Sequence, residues 1–229
     1  MIANLLLLLT AAIWGFGFVA QVLGMNYLEP VAFIGARFIL GALSVLPVIW
    51  YLQRQETAAG PGIGYLVYAS CVLGTILFAA SSFQQVGLLY TTASNAGFIT
   101  GMYMVFVPIF GLMLGMATGL LTWLGCIVAG IGLFMLGLND QYRMGYGDLL
   151  QLAGAGIWAL HILAIDHFTK HAPGVQLACG QFAVCAALGI LVSVGFAGET
   201  TTWPQLVAAG PTLIYAGIIT VGVAYTLQI

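Results

Sequence analysis

Apolar runs about as long as a bilayer is thick recur along this chain, at about 3–23, 31–52, 64–87, 94–114, 117–138, 148–168, 174–196 and 208–229. A hydrocarbon core about 30 Å thick is crossed by about 20 helical residues. Charge is too scarce for a water-facing surface: four Lys/Arg and six Asp/Glu make 4% of 229 residues, against roughly 25% in a soluble domain. Lipid offers backbone groups no hydrogen bonds and strand-length alternation is missing, so the runs are expected as helices. The fold class is an all-α membrane protein with about eight transmembrane helices. Net charge is −2, which leaves no basic footprint for nucleic acid. The first 20 residues contain no Lys or Arg, so 3–23 reads as a retained span rather than a signal peptide.

The breaks between runs have physical causes. Pro30 stands where the first turn of the second helix tolerates proline. Arg54, Glu56 and Gly60-Pro61-Gly62 mark a wet loop, and Asn139–Gly147 a polar linker. Asp148 suits the positive end of the next helix, and Thr202-Trp203-Pro204 a capped, interfacial helix start. With the N-terminus cytoplasmic, Arg54 and Lys170 fall inside and Arg143 outside, which favours that orientation. Cys71, Cys126, Cys179 and Cys185 lie in apolar runs without a CxxC, so they read as small buried hydrophobes; no metal site or cofactor is expected.

The chain also repeats itself. Leu8, Ala11, Ile13, Trp14 and Ala20 match Leu152, Ala155, Ile157, Trp158 and Ala164 at one ungapped offset of 144, and Val31, Phe38, Ala42 and Gln84 match Val175, Phe182, Ala186 and Gln228. Five runs separate one copy's start from the next, and five is odd, so the second copy enters the membrane from the opposite side. That is an inverted-topology repeat, the recurring design of secondary transporters, with the solute held between halves. The expected organisation is a first five-helix unit at 1–138, a linker at 139–147 and a second, inverted unit at 148–229 carrying about three helices. Two five-helix units make a ten-helix fold, so the sequence reads as truncated by two helices.

The order of motifs resembles an EamA-type permease of the drug/metabolite transporter superfamily: a tryptophan in the first helix, Pro30 then Arg37-Phe38 in the second, Asn95–Pro108 in the fourth, Gly147-Asp148-Leu149-Leu150 followed by Trp158-Ala159, and Ala224-Tyr225-Thr226-Leu227-Gln228. The resemblance implies ten helices, cytoplasmic termini, a place in the bacterial inner (plasma) membrane, and movement of small metabolites such as amino acids, usually outward. One departure is the uncharged stretch Gly111–Trp123, where the family commonly carries charge.

Polar groups inside spans are site candidates. Trp14, Gly17, Phe18 and Gln21 share one helix face, and Trp158, His161, Ile162 and Ile165 share the equivalent face of the repeated helix. The two indoles are expected to line a solute cavity, their broad rings suiting apolar or cationic solutes. His161 either packs or carries a coupling proton. Gln84, Gln181 and Gln228, with Tyr103 and Tyr225, either line the cavity or bond between helices. Asn95 belongs to a polar helix opening that either draws a substrate carboxylate or is simply capped. Arg37 is a buried charge, structural or anion-facing. Pro108 removes the bond to the Met104 carbonyl and is a candidate hinge. Gly111 and Gly115 form GxxxG, serving internal packing or a homodimer seam.

These features point to a secondary transporter, an exporter or facilitator, of a small metabolite in the lipid bilayer. A non-transporting scaffold subunit is the alternative. An intramembrane enzyme using His161 is less favoured, because paired carboxylates, HExxH and a Ser-His pair are missing.

Overall fold

The computed structural model describes residues 2–54, 61–137 and 144–228, apart from the side chains of residues 2–4, 7, 53, 133, 136, 137, 226 and 228. Among them the chain is helical: α1 (Ile2–Gly24), α2 (Pro30–Gln53), α3 (Ile63–Gly87), α4 (Ala93–Thr100), α5 (Tyr103–Met113), α6 (Leu120–Gly137), α7 (Tyr146–Thr169), α8 (Gly174–Gly195), the short α9 (Trp203–Ala208) and α10 (Gly210–Ile214), a π-helix (Tyr215–Ala224), and α11 (Tyr225–Gln228). Each apolar run of the sequence recurs as helix. Among the described residues, five helical stretches are long and apolar enough to cross a membrane: Pro30–Leu52, Ile63–Gly87, Ala93–Met113, Tyr146–Thr169 and Gly174–Gly195. Leu8–Gly24, Leu120–Gly132 and Gly210–Ala224 are shorter apolar stretches. The linker expected at 139–147 falls outside the described residues from 139 to 143, as do Glu56 and Arg143.

The helix starts follow their local chemistry. Pro30 occupies the first turn of α2, where its missing N–H is no loss. The next two free amides, of Val31 and Ala32, donate to the Glu199 carboxylate at 3.3 and 2.7 Å, so a distant acid neutralises the positive end of this helix. Asp148 accepts from the Gly145 amide at 3.0 Å and the Thr91 hydroxyl at 2.6 Å. Gln205 accepts from both the Thr202 amide and hydroxyl at 2.8 Å.

The fourth run departs from a single uninterrupted helix. It is broken at Gly101-Met102, while α5 continues through Pro108. Proline leaves the Met104 carbonyl without its helical donor, and the Cys126 thiol of α6 donates to that oxygen at 3.5 Å. Cys126 is thus a hydrogen-bonding group as well as a small hydrophobe. Cys126→Ala should cost about 1 kcal/mol in the wild type and almost nothing in a Pro108→Ala background, where the helix satisfies its own carbonyl. A double-mutant cycle in SDS unfolding checks this coupling.

The chain divides into two compact units, Met1–Phe78 with Phe168–Ile229, and Ala79–His167. In the first, α2 packs most extensively against α8 and next against the π-helix. Contacts descend along α8 as they ascend along α2: Gly35 meets Gly189, Phe38 meets Phe182 at 5.8 Å, and the Cys179 thiol points at the Ala42 carbonyl at 3.7 Å. These two helices therefore run in opposite directions. A Cβ on Gly189 would lie 2.8 Å from the Gly35 Cα, so the pair meets backbone to backbone, as small residues allow in membranes. The first part of α3 lies against α8, with Gly74 facing Val184, and the π-helix lies against α2, with Gly217 facing Leu40. Val184 and Leu40 are 144 residues apart. Leu28, Phe33, Ala209, Leu213 and Ala216 close the end of this unit. In the second unit, α6 packs on α4 and α5, and Gly154 of α7 lies 3.3 Å, as a built Cβ, from Phe83 of α3.

Candidate functional site

In the unit Ala79–His167, α3 and α7 build a buried polar network. The Trp158 indole N–H donates to the Gln84 side-chain oxygen at 3.0 Å. The Gln151 amide donates to the Gln84 backbone carbonyl at 2.8 Å, and the Thr100 hydroxyl donates to the Gln151 oxygen at 3.3 Å. Gln84 is 6% exposed and Gln151 fully buried. His161, one turn after Trp158, is 1% exposed and stands edge-on to the indole, with ring centres 5.6 Å apart. The sequence singled out Trp158, His161 and Gln84, and they form one cluster. Gln151, which joins them, was not singled out. It lies seven residues before Trp158, on the same helical face, and that spacing was the available signal. Ser81 and Gln85 on α3 were also missed; both are fully buried, and the Ser81 hydroxyl and the Gln85 amide lack partners among the described residues.

Asn95 and Tyr103 stand apart from this network. The Asn95 amide is capped by the Thr92 hydroxyl at 3.1 Å, which is ordinary helix capping. Tyr103 opens α5 just after the break at Gly101-Met102.

The unit Met1–Phe78 with Phe168–Ile229 holds a second cluster. Trp14 meets Tyr225 edge-on with centroids at 5.5 Å, Tyr225 meets Phe182 at 5.5 Å, and Phe182 meets Phe38 at 5.8 Å. Arg37 lies over the Phe38 ring at 5.0 Å and is 3% exposed. The acid at the start of this helix is Glu199. Gln181 is fully buried on α8, at the repeat position of Arg37. Gln21 is 2% exposed and donates back to the Gly17 carbonyl at 3.1 Å. Thr220 of the π-helix sits against Gly17, 3.1 Å from a Cβ built there, so glycine at this place leaves room for the π-helix. The side chain of Gln228 lies outside the described residues. The described residues hold no group of three or more His, Cys, Asp or Glu that could bind a metal ion.

Buried polar clusters on helices long enough to cross a bilayer define an integral membrane protein with candidate solute-handling groups. The chain belongs to the EamA-like transporter family, whose model matches residues 1–138. It is not an enzyme but a member of a membrane transporter family. Two proteins of Archaeoglobus fulgidus, each described as an uncharacterized transporter, are 32% identical over 213 residues (87% of this chain, 59% of the relative) and 30% identical over 237 residues (98% and 78%). A protein of Escherichia coli described as "Probable amino-acid metabolite efflux pump" is 29% identical over 165 residues, 68% of this chain and 50% of that one. The chain thus spans between half and four-fifths of the length of these relatives. A protein solved by crystallography shares the fold with a TM-score of 0.71 at 20% identity, covering 98% of this chain and 77% of that one.

Proposed function

We propose that the protein is a secondary transporter that moves a small metabolite, an amino acid or related solute, by alternating access between two inverted halves in the inner membrane, with the N-terminus cytoplasmic. The carrying observation is the tryptophan written twice. Trp14 and Trp158 occupy the same repeat position, and each sits at a polar junction, the first beside Tyr225 and the second bonded to Gln84. Further support comes from the opposed course of α2 and α8, which are repeat mates. The contact of Val184 with Gly74 also has a counterpart in that of Leu40 with Gly217. The family match ends at residue 138, which suits a first unit of 1–138, with 139–147 as linker and 148–229 as part of the second. The outward direction and the amino-acid class rest on the Escherichia coli relative.

Trp14, Gln21, Gln181, Tyr225 and Gln228 in one unit, and Gln84, Trp158 and His161 in the other, are the proposed solute-contacting groups, with Asn95 and Tyr103 as further candidates and Pro108 as hinge. Any proton coupling runs through His161, since carboxylates are missing from span centres. Reconstitution into proteoliposomes tests the function. Radiolabelled amino acid should enter by counterflow, saturably and with competition from unlabelled solute. Non-saturable uptake equal to that of empty vesicles would instead favour a scaffold subunit.

A further inference from the structure

We infer that Arg37 receives the carboxylate of the solute, which makes the substrate an organic acid or amino acid whose apolar body lies against Phe38, Phe182 and Tyr225. The inference rests on the transporter reading above and adds the chemical class and the anchoring group. Arg37 lies seven residues into α2 from Pro30, about 10 Å along the helix. It is 3% exposed. A cation held within a span is costly and is usually kept where it meets an opposite charge or a substrate path. No carboxylate meets this one among the described residues. Its Nε is buried without a partner among the described residues.

The surroundings ask for acceptors. A guanidinium and an indole N–H only donate, and both the Arg37 Nε and the Trp14 Nε1 are left unsatisfied in the same unit, with the buried Thr220 hydroxyl as a third orphan. Tyr225 links them through rings: it meets Trp14 edge-on, and through Phe182 it leads to Phe38, whose ring Arg37 overlies. A carboxylate supplies the missing acceptors in a planar fork that guanidinium matches. The rings around it fit a hydrocarbon body rather than a bare inorganic ion. The repeat adds an asymmetry: the position that holds Arg37 in one half holds Gln181 in the other. At this position the two halves offer one cation between them, so a solute with one negative end has one orientation.

The test uses the purified protein and three probes: isovalerate, its neutral isostere isovaleramide, and inorganic phosphate, with binding read by tryptophan quenching. Isovalerate should bind about tenfold or more tightly than isovaleramide, the usual advantage of a charged hydrogen-bond pair. Arg37→Gln should bring isovalerate to the level of the amide, and Arg37→Lys should restore part of the difference. Trp14→Phe, which keeps an aromatic ring and removes the N–H, should weaken isovalerate several-fold and isovaleramide less. Should Arg37→Gln fail to purify as a single species, the acid–amide comparison and Trp14→Phe decide. Equal binding of acid and amide, an unaffected Trp14→Phe, unaffected binding in a folded Arg37→Gln, or phosphate as tight as isovalerate overturns the inference. Carboxylate binding without counterflow of any solute would overturn the transporter reading and leave this site standing. Counterflow indifferent to solute charge would do the reverse.

Discussion

Gly189→Leu separates α2 from α8 and destabilises the protein by about 3 kcal/mol, the upper part of the range for forced overpacking. The neighbours of a Cβ at this position are the Gly35 Cα and N, each at 2.8 Å, and the Val31 carbonyl at 3.5 Å. All are backbone, and none can rotate away. Lipid is as apolar as the helix surfaces, so close packing carries much of the association energy, and a forced gap loses it directly. Gly156→Leu is the matched control: nothing lies within 4 Å of its Cβ, and its effect should stay within about 0.5 kcal/mol. SDS titration of the two variants separates the outcomes. A Gly189→Leu protein as stable as the control would mean that α2 and α8 are not in backbone contact.

The double variant Trp14→Ala, Trp158→Ala should lose more than about nine-tenths of saturable counterflow while remaining folded. Each indole contributes a broad surface and one donor. Truncating Trp158 also strands the Gln84 oxygen it bonds at 3.0 Å. Such a pair within a membrane is worth about 1 kcal/mol, too little to unfold the protein. The single variants should fall between the double and the wild type. Saturable transport that survives in a folded double variant would remove both tryptophans from the solute path.

Much of this arrangement was legible because length and apolarity decide helices in lipid. The runs 31–52, 64–87 and 174–196 match α2, α3 and α8 to within one residue at each end. Trp158 and Gln84 were singled out as separate polar groups, and they bond each other. Facing direction was harder to read. Along a run apolar on most sides, such as that of α3, no periodic face stands out, so nothing announced that Gln85 would be fully buried. The Glu199 carboxylate reaches amides 167 and 168 residues away, a pairing that no local pattern encodes. The π-helix was also out of reach: its Thr220 and Val221 pack against Gly17 and Gly41, contacts that no local pattern encodes. The break before α5 falls at Gly101-Met102 and not at Pro108, where the Cys126 thiol meets the carbonyl that proline frees.

The inverted repeat is tested most directly by labelling Tyr27 and His171, repeat mates that lie exposed just beyond α1 and α7. In a background with the four native cysteines replaced, Tyr27→Cys and His171→Cys are each treated with a membrane-impermeant maleimide in intact spheroplasts and in inverted vesicles. Inverted halves with a cytoplasmic N-terminus require Tyr27→Cys to react from outside and His171→Cys from the cytoplasmic side. Reaction of both from the same side would mean that the two tryptophan helices cross the membrane in the same direction, and would contradict the inverted architecture outright.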